Sequence, residues 1–235
     1  APEPREDCPA SPRQRMLSRE AGANRWSWDM QVGRFACIAE VTNTSRNLGA
    51  YAAEPGRYQV RLTVGNEVHT RDFEILIDPR LDGITADPVA EYAELDRLSA
   101  SLFEGAQEME NGVLQLRQVR EQMDLLMEAA RSEAAASSAP AGADPYGAVM
   151  NQGAELTERM EEWESRILQK YLQTSQNNYM FEARLLVKYK DLLGRMSGAN
   201  IPVTAGVREV TGDYLDEWAG HRTDLGVLVD DLREF

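Results

Sequence analysis

The sequence predicts an α+β protein with its two kinds of structure in separate domains: a small β-sandwich over residues 24–80 and a long antiparallel three-helix bundle over residues 87–235. Three observations carry this. Tyr58, Val60, Leu62 and Val64 alternate with Gln59, Arg61 and Thr63 directly after the Pro55-Gly56 turn pair, which is the period of a strand with one buried face. After Asp87-Pro88 the apolar residues recur in sevens, the period of packed helices. Two breaks, an Ala-, Ser-, Gly- and Pro-rich stretch at 133–147 and Gly198-Ala199-Asn200-Ile201-Pro202, divide the helical part into three stripes. At 235 residues the chain is long enough to give each domain its own core.

Residues 1–23 are rich in Pro, Arg and Glu without apolar periodicity and read as an irregular arm. Trp26, Trp28 and Met30 alternate with Ser27 and Asp29, which predicts a strand, and Phe35 with Cys37 marks another. The Thr42–Gly49 segment is polar and loop-like and includes Asn43-Thr44-Ser45, formally an N-glycosylation acceptor. Gly65-Asn66 supplies a two-residue hairpin loop after the Tyr58–Val64 strand. The return strand runs from Glu67 to Ile77. Its apolar residues change phase between Val68 and Phe73, which predicts a β-bulge near Arg71-Asp72. Asp78-Pro79 ends the ladder, because Pro has no N–H to donate to it. Strands of this length and spacing suggest an immunoglobulin-like or fibronectin-like sandwich.

In the helical part, Asp87 is the expected N-cap of a helix over about 88–132, with Pro88 at its first position. Its stripe is Leu95, Leu102, Met109, Leu116 and Met123, flanked by the row Leu98, Gly105, Gly112, Val119 and Leu126 and widened by Ala106, Val113 and Met127. Gly105 and Gly112 lower helix propensity, and either admit a close neighbour or are simply tolerated. After a flexible linker at 133–147, a second helix over about 148–197 carries Leu156, Met160, Trp163, Ile167 and Tyr171, then Leu185, Tyr189, Leu192 and Met196. Between these sets Thr174, Asn177 and Asn178 interrupt the stripe, marking a local break or a buried polar contact. Thr204 is the expected N-cap of a third helix over about 205–233, with Val207, Val210, Tyr214, Trp218, His221, Leu225, Leu228 and Leu232 along its seam. Such a rod suits a spacer, brace or assembly surface better than a pocket.

Charge narrows the partners. Residues 1–80 balance 11 basic against 11 acidic side chains, whereas residues 81–235 carry 14 basic and 28 acidic ones, so the net charge of −14 sits on the helical part. Nucleic acid is therefore not an expected partner, since its affinity rests on Lys and Arg neutralising phosphates. Anionic membrane surfaces are disfavoured too. No apolar run is long enough to span a bilayer. Cys8 and Cys37 fit no zinc spacing; they form either one disulfide tying the arm to the sandwich or two unpaired thiols.

No catalytic constellation accompanies these elements. His69 in a strand and His221 on a helical seam have no second His or Cys at metal-ligand spacing, and each reads as a hydrogen-bonded structural residue. The pairs Glu161-Glu162 and Asp230-Asp231 lie where solvated helix faces are expected, and Asp78 with Asp82 makes no EF-hand loop. No phosphate-binding or dinucleotide-binding glycine motif is present. The sequence thus predicts no enzyme, no metal and no cofactor. Trp26, Trp28 and Tyr51 are candidates for an aromatic carbohydrate-binding platform, set against the competing expectation that at least one Trp ring fills the sandwich core.

Three strings carry a family resemblance: Gly22-Ala23-Asn24-Arg25-Trp26-Ser27-Trp28-Asp29-Met30, then Glu54-Pro55-Gly56-Arg57-Tyr58-Gln59-Val60-Arg61-Leu62-Thr63-Val64, then Ile77-Asp78-Pro79-Arg80. With the helices through Ile201-Pro202-Val203-Thr204, residues 22–235 resemble the C-terminal region of bacterial sortilin-like, BNR-repeat β-propeller proteins often labelled glycosyl hydrolases. The resemblance implies an exported, periplasmic or secreted bacterial protein in which a propeller precedes an immunoglobulin-like domain and a helical bundle. The chain departs from that plan in having no Ser-x-Asp-x-Gly-x-x-Trp boxes, so a hydrolase label finds no residues here. The expectation is a non-catalytic scaffold module that docks on a β-propeller chain or a larger envelope assembly, with a carbohydrate-binding accessory module as the alternative.

Overall fold

The structure is a computed structural model that describes residues 20–35, 38, 49–81, 83–136, 146–169, 182–197 and 202–235. It is an α+β protein. Strands β1 (Gln31–Arg34) and β2 (Gly49–Ala52) form one two-stranded antiparallel sheet, and β3 (Gly56–Val64) and β4 (Glu67–Ile75) form another. Helices α1 (Pro88–Ala136), α2 (Gly147–Ile167), α3 (Leu185–Ser197) and α4 (Ala205–Glu234) follow.

The expected strand at Trp26–Met30 does not form, because local hydrogen bonds win there. The Asp29 carboxylate accepts the Gln31 N–H at 3.2 Å and Met30 takes a left-handed φ of 56°, an Asx-type turn that feeds the chain into β1. Gly33, at φ +73°, lets the tip of the Phe103 ring of α1 press close to the strand; a Cβ there would sit 2.3 Å from Phe103 Cζ. Phe103 is also the hub of an aromatic cluster, 5.3 Å from Phe35 and 5.9 Å from Tyr51. Through it, β1–β2 is seated on α1 and α3.

Helix α1 starts as expected, with Asp87 Oδ1 accepting the Ala90 N–H at 3.1 Å. Its 49 residues extend about 74 Å. Leu98, Leu102, Ala106, Met109, Val113, Leu116, Met123 and Met127 are buried, but Leu126 is 61% exposed. A straight helix of 3.6 residues per turn drifts about 20° per heptad, so the row begun at Leu98 has turned away from the core by Leu126. Gly105 and Gly112 do admit close neighbours: added Cβ atoms would lie 2.8 Å from the Tyr189 ring and 3.1 Å from the Trp163 ring.

The single helix expected at 148–197 is interrupted, and the described residues place α2 and α3 on either side of the break. α2 ends at Ile167, and Leu168 is extended. The helix resumes at Leu185, while Tyr171, Thr174, Asn177 and Asn178 fall outside the described residues. α2 runs antiparallel to α1, as the contacts Gly153–Met127 and Gly112–Trp163 require, and α3 lies further back along α1, with Tyr189 against Gly105. α4 is parallel to α1, shown by Arg208–Glu94 near its start and Leu225 against Gly112 further on. Thr204 caps it, accepting the Val207 N–H at 3.3 Å.

Indole and phenol donors tie the helices together. Trp163 Nε1 donates to the His221 carbonyl at 2.9 Å, Tyr189 Oη to the Tyr214 carbonyl at 2.7 Å, and Trp218 Nε1 to Glu108 at 2.8 Å. Two charge clusters are buried between them. Glu164 is held by Arg117 at 2.6 Å and Arg120 at 3.3 Å, and Glu110 by Lys190 at 2.6 Å. The Lys190 ammonium also lies 4.6 Å from the Phe35 ring centre, so this pair reaches across to the β1–β2 sheet.

Candidate docking surface

The β3–β4 hairpin closes over Gly65-Asn66, with positive φ at Gly65 alone, the pattern of a type II′ turn. Its register is continuous from Gly56↔Ile75 to Val64↔Glu67, so the bulge expected near Arg71-Asp72 is absent. Val68 and Phe73 therefore point to opposite faces instead of being brought into phase. One face carries Tyr58, Val60, Leu62 and Val64 from β3 opposite Phe73, Arg71, His69 and Glu67 from β4. The other carries Arg57, Gln59, Arg61 and Thr63 opposite Glu74, Asp72, Thr70 and Val68, with Gln59 donating to Asp72 at 3.1 Å.

Alternation of this kind predicts a buried face, yet Val60, Leu62 and Val64 are 46, 48 and 59% exposed. Only the base of the hairpin is covered. There the half-buried Trp28 packs on the Tyr58–Phe73 pair at 5.8 and 6.1 Å, anchored by its Nε1 donating to the Gln31 carbonyl at 3.1 Å. Tyr58 Oη donates to the Glu54 carbonyl at 2.7 Å, fixing the turn that leads from β2 into β3. The result is an apolar row along β3 whose outer edge pairs with no strand among the described residues.

Beneath the hairpin base lies a desolvated acidic junction. Burial pushes the Asp96 carboxyl up, and pushes Glu54 up with the Asp96 charge adding to it. The Tyr51 phenol is raised mainly by burial and then by Asp96, Glu104 and Glu54. Here burial disfavours the ionised forms, and the Asp96 charge adds to this at Glu54 and Tyr51. Among the described residues no cluster of His, Cys, Asp and Glu is arranged to hold a metal ion.

The residues singled out by sequence are dispersed. Trp26 is exposed, Trp28 braces the hairpin, and Tyr51 is only 8% exposed within the Phe103 cluster, so the three make no common stacking platform. Tyr51 is a core residue because β2 turns it onto α1, which period-two counting within the β part had no means of showing. Cys8, Cys37 and Asn43-Thr44-Ser45 lie outside the described residues, as does Asp82. His69 is exposed on the apolar face of the hairpin with Nε2 3.4 Å from Glu67, not a buried structural histidine. His221 is half-buried; its carbonyl accepts the hydrogen bond from Trp163 Nε1, while its buried Nδ1 has no hydrogen-bond partner among the described residues. The acidic pairs are taken up in ion pairs: Glu161 with Arg120, Glu162 with Arg166, Asp230 with Arg233 and Asp231 with Arg159. A shallow groove of about 270 Å³ beside Trp163 is edged by Arg159, Arg166 and Asp224 from these same networks. Sequence reasoning missed Phe103, Glu110, Glu164, Lys190 and Thr211, all buried; a Glu and a Lys on the apolar stripe were the available signal.

No helix among the described residues is long and apolar enough to cross a membrane. Compared with protein-family models, curated proteins and solved structures, the chain finds no match.

Proposed function

We propose that this chain is a non-catalytic interaction and scaffold module that works outside the cytoplasm and docks on a β-propeller chain or a larger envelope assembly. The observation that carries the reading is the uncovered apolar row Val60, Leu62, Val64 on a hairpin anchored at one end. A contiguous exposed apolar strip rimmed by Arg71, His69 and Glu67 is the usual mark of a protein interface. In this reading the immunoglobulin- or fibronectin-like sandwich of residues 24–80 is completed only on docking, when the partner covers the hairpin face. The helices serve as a three-helix rod, α2 and α3 acting as one broken member, that holds the hairpin at a fixed place.

The test is affinity purification of the full chain from its source, beside the variant Leu62→Asp. A stoichiometric β-propeller or envelope partner that is retained by the wild type and lost by the variant is the expected result. Equal recovery with both proteins, or recovery of a free chain, refutes the reading. The exposed ring of Trp26, 51% accessible, favours one second reading, a carbohydrate-binding accessory module. That reading requires glycan binding that Trp26→Ala abolishes without loss of fold.

A further inference from the structure

We infer that β3 is an edge strand for a second copy of this chain, paired antiparallel about Val60 to give a four-stranded sheet across a two-fold axis. This goes beyond docking on another protein, and it rests on the backbone edge and not on the apolar face. The type II′ turn joins the Val64 carbonyl to the Glu67 N–H, so the Val64–Glu67 pair is hydrogen-bonded. An antiparallel ladder alternates from there, which directs the N–H and C=O groups of Arg57, Gln59, Arg61 and Thr63 to the open edge.

The strand is its own complement. Its bounds, Gly56–Val64, are centred on Val60, so pairing about that residue leaves no overhang. Val60 then faces Val60, Tyr58 faces Leu62, Gln59 faces Arg61 and Arg57 faces Thr63, with no like charges opposed. Moving the axis to Arg61 would set two Arg side chains against each other. The outer edge of β4 lacks this property: an axis on Arg71 opposes two Arg, one on Asp72 opposes two Asp, and one on Thr70 sets His69 against Arg71. β3 has no Pro, no bulge and no charge on its apolar face; its two charges, Arg57 and Arg61, lie on the other face, where they meet Thr63 and Gln59 of the second copy. The apolar row also lies on β3 and not on β4, so pairing brings two such rows together at the middle of the sheet. The hairpin's Arg57, Arg61 and Arg71 balance Glu67, Asp72 and Glu74, so no net charge opposes the approach.

Sedimentation velocity on the full chain tests this, with two proline variants. Arg61→Pro removes an outward N–H from β3 and Thr70→Pro removes one from the outer edge of β4; neither N–H belongs to the hairpin ladder. The expected result is a wild-type particle of twice 26.3 kDa, a dimer in Thr70→Pro, and at least a tenfold weaker dimer in Arg61→Pro. Far-UV circular dichroism confirms that both variants are folded, and Val60→Lys, which opposes two ammonium groups at the axis, gives a second monomerising variant should Arg61→Pro unfold. A wild type that stays monomeric up to roughly 100 µM overturns the inference. So does a dimer that all three variants leave intact, or one that Thr70→Pro weakens as much as Arg61→Pro. A monomer that still captures a partner through Leu62 overturns the self-pairing alone and leaves the docking reading in place.

Discussion

Replacing Gly105 with Ala tests whether the close approach of α3 to α1 is built into the sequence. In an exposed helix interior Gly→Ala stabilises by about 1 kcal/mol, through backbone entropy and propensity. At Gly105 the new methyl would lie 2.8 Å from Tyr189 Cε1, roughly 0.6 Å inside ordinary contact. That ring has no room to retreat. It is fully buried, stacked 5.9 Å from Tyr214, and its hydroxyl is committed to the Tyr214 carbonyl at 2.7 Å. Overpacking of this kind costs about 1–3 kcal/mol, and the pinned ring places it in the upper part of that range. The expected net effect is a loss of about 1–2 kcal/mol. Gly220 on α4 is the matched control: nothing lies within 4 Å of its added Cβ, so Gly220→Ala is expected to stabilise by about 0.5–1 kcal/mol. Urea unfolding of both variants, read as a midpoint shift at constant slope, separates the two signs. A Gly105→Ala protein as stable as the wild type would refute the packing argument.

Four further substitutions probe the buried charges and the acidic junction. Glu164→Ala takes the buried carboxylate from Arg117 and leaves Arg120 with Glu161, and is expected to cost about 3 kcal/mol, the lower end for a broken buried pair because both Arg side chains keep some solvent. A loss under about 0.5 kcal/mol in urea unfolding would place that cluster among ordinary surface pairs. Lys190→Met is expected to cost about 3 kcal/mol, and adding Glu110→Met to recover most of it, as a double-mutant cycle would register. Asp96→Asn should raise the unfolding temperature at pH 7. Burial raises the native-state pKa of Asp96, so ionisation costs the folded state stability above that value. The advantage therefore shrinks as pH falls through the raised value and vanishes below the ordinary 3.8. An advantage constant across pH would point to packing instead.

Much of the helical part was legible because its signals are local. Asp87 and Thr204 cap where side-chain chemistry requires, and the stripes of α2 and α3 fall on Leu156, Met160, Trp163, Ile167, Leu185, Tyr189 and Met196 as read. The errors come from what lies outside one helix. Leu126 fits the heptad but not the core, since a heptad count ignores the drift of a straight helix. Glu110 and Lys190 drew no reading from the heptad count and are buried, because each partners the other. The glycines were ambiguous in sequence for the same reason: whether Gly105 is tolerated or required depends on Tyr189, 84 residues away.

The β part shows where pattern and burial part company. Alternation along Tyr58–Val64 fixes that the even residues share a face, and the register bears this out. It says nothing about what covers the face. Trp28 covers the Tyr58–Phe73 end, and the row from Val60 to Val64 is left open. An isolated two-stranded hairpin is at best marginally stable in water, so a nine-residue pair of strands with one bare apolar row is an incomplete unit. Its sequence has the alternation of a strand with one buried face, and the docking proposed above would supply the missing cover in trans. The two ways of completing it draw on different groups. Covering the face uses the side chains of Val60, Leu62 and Val64, whereas extending the edge uses the N–H and C=O groups of Arg57, Gln59, Arg61 and Thr63. Leu62→Asp therefore strikes the face and Arg61→Pro the edge, and a chain that uses both surfaces loses its partner in the first variant and its second copy in the other.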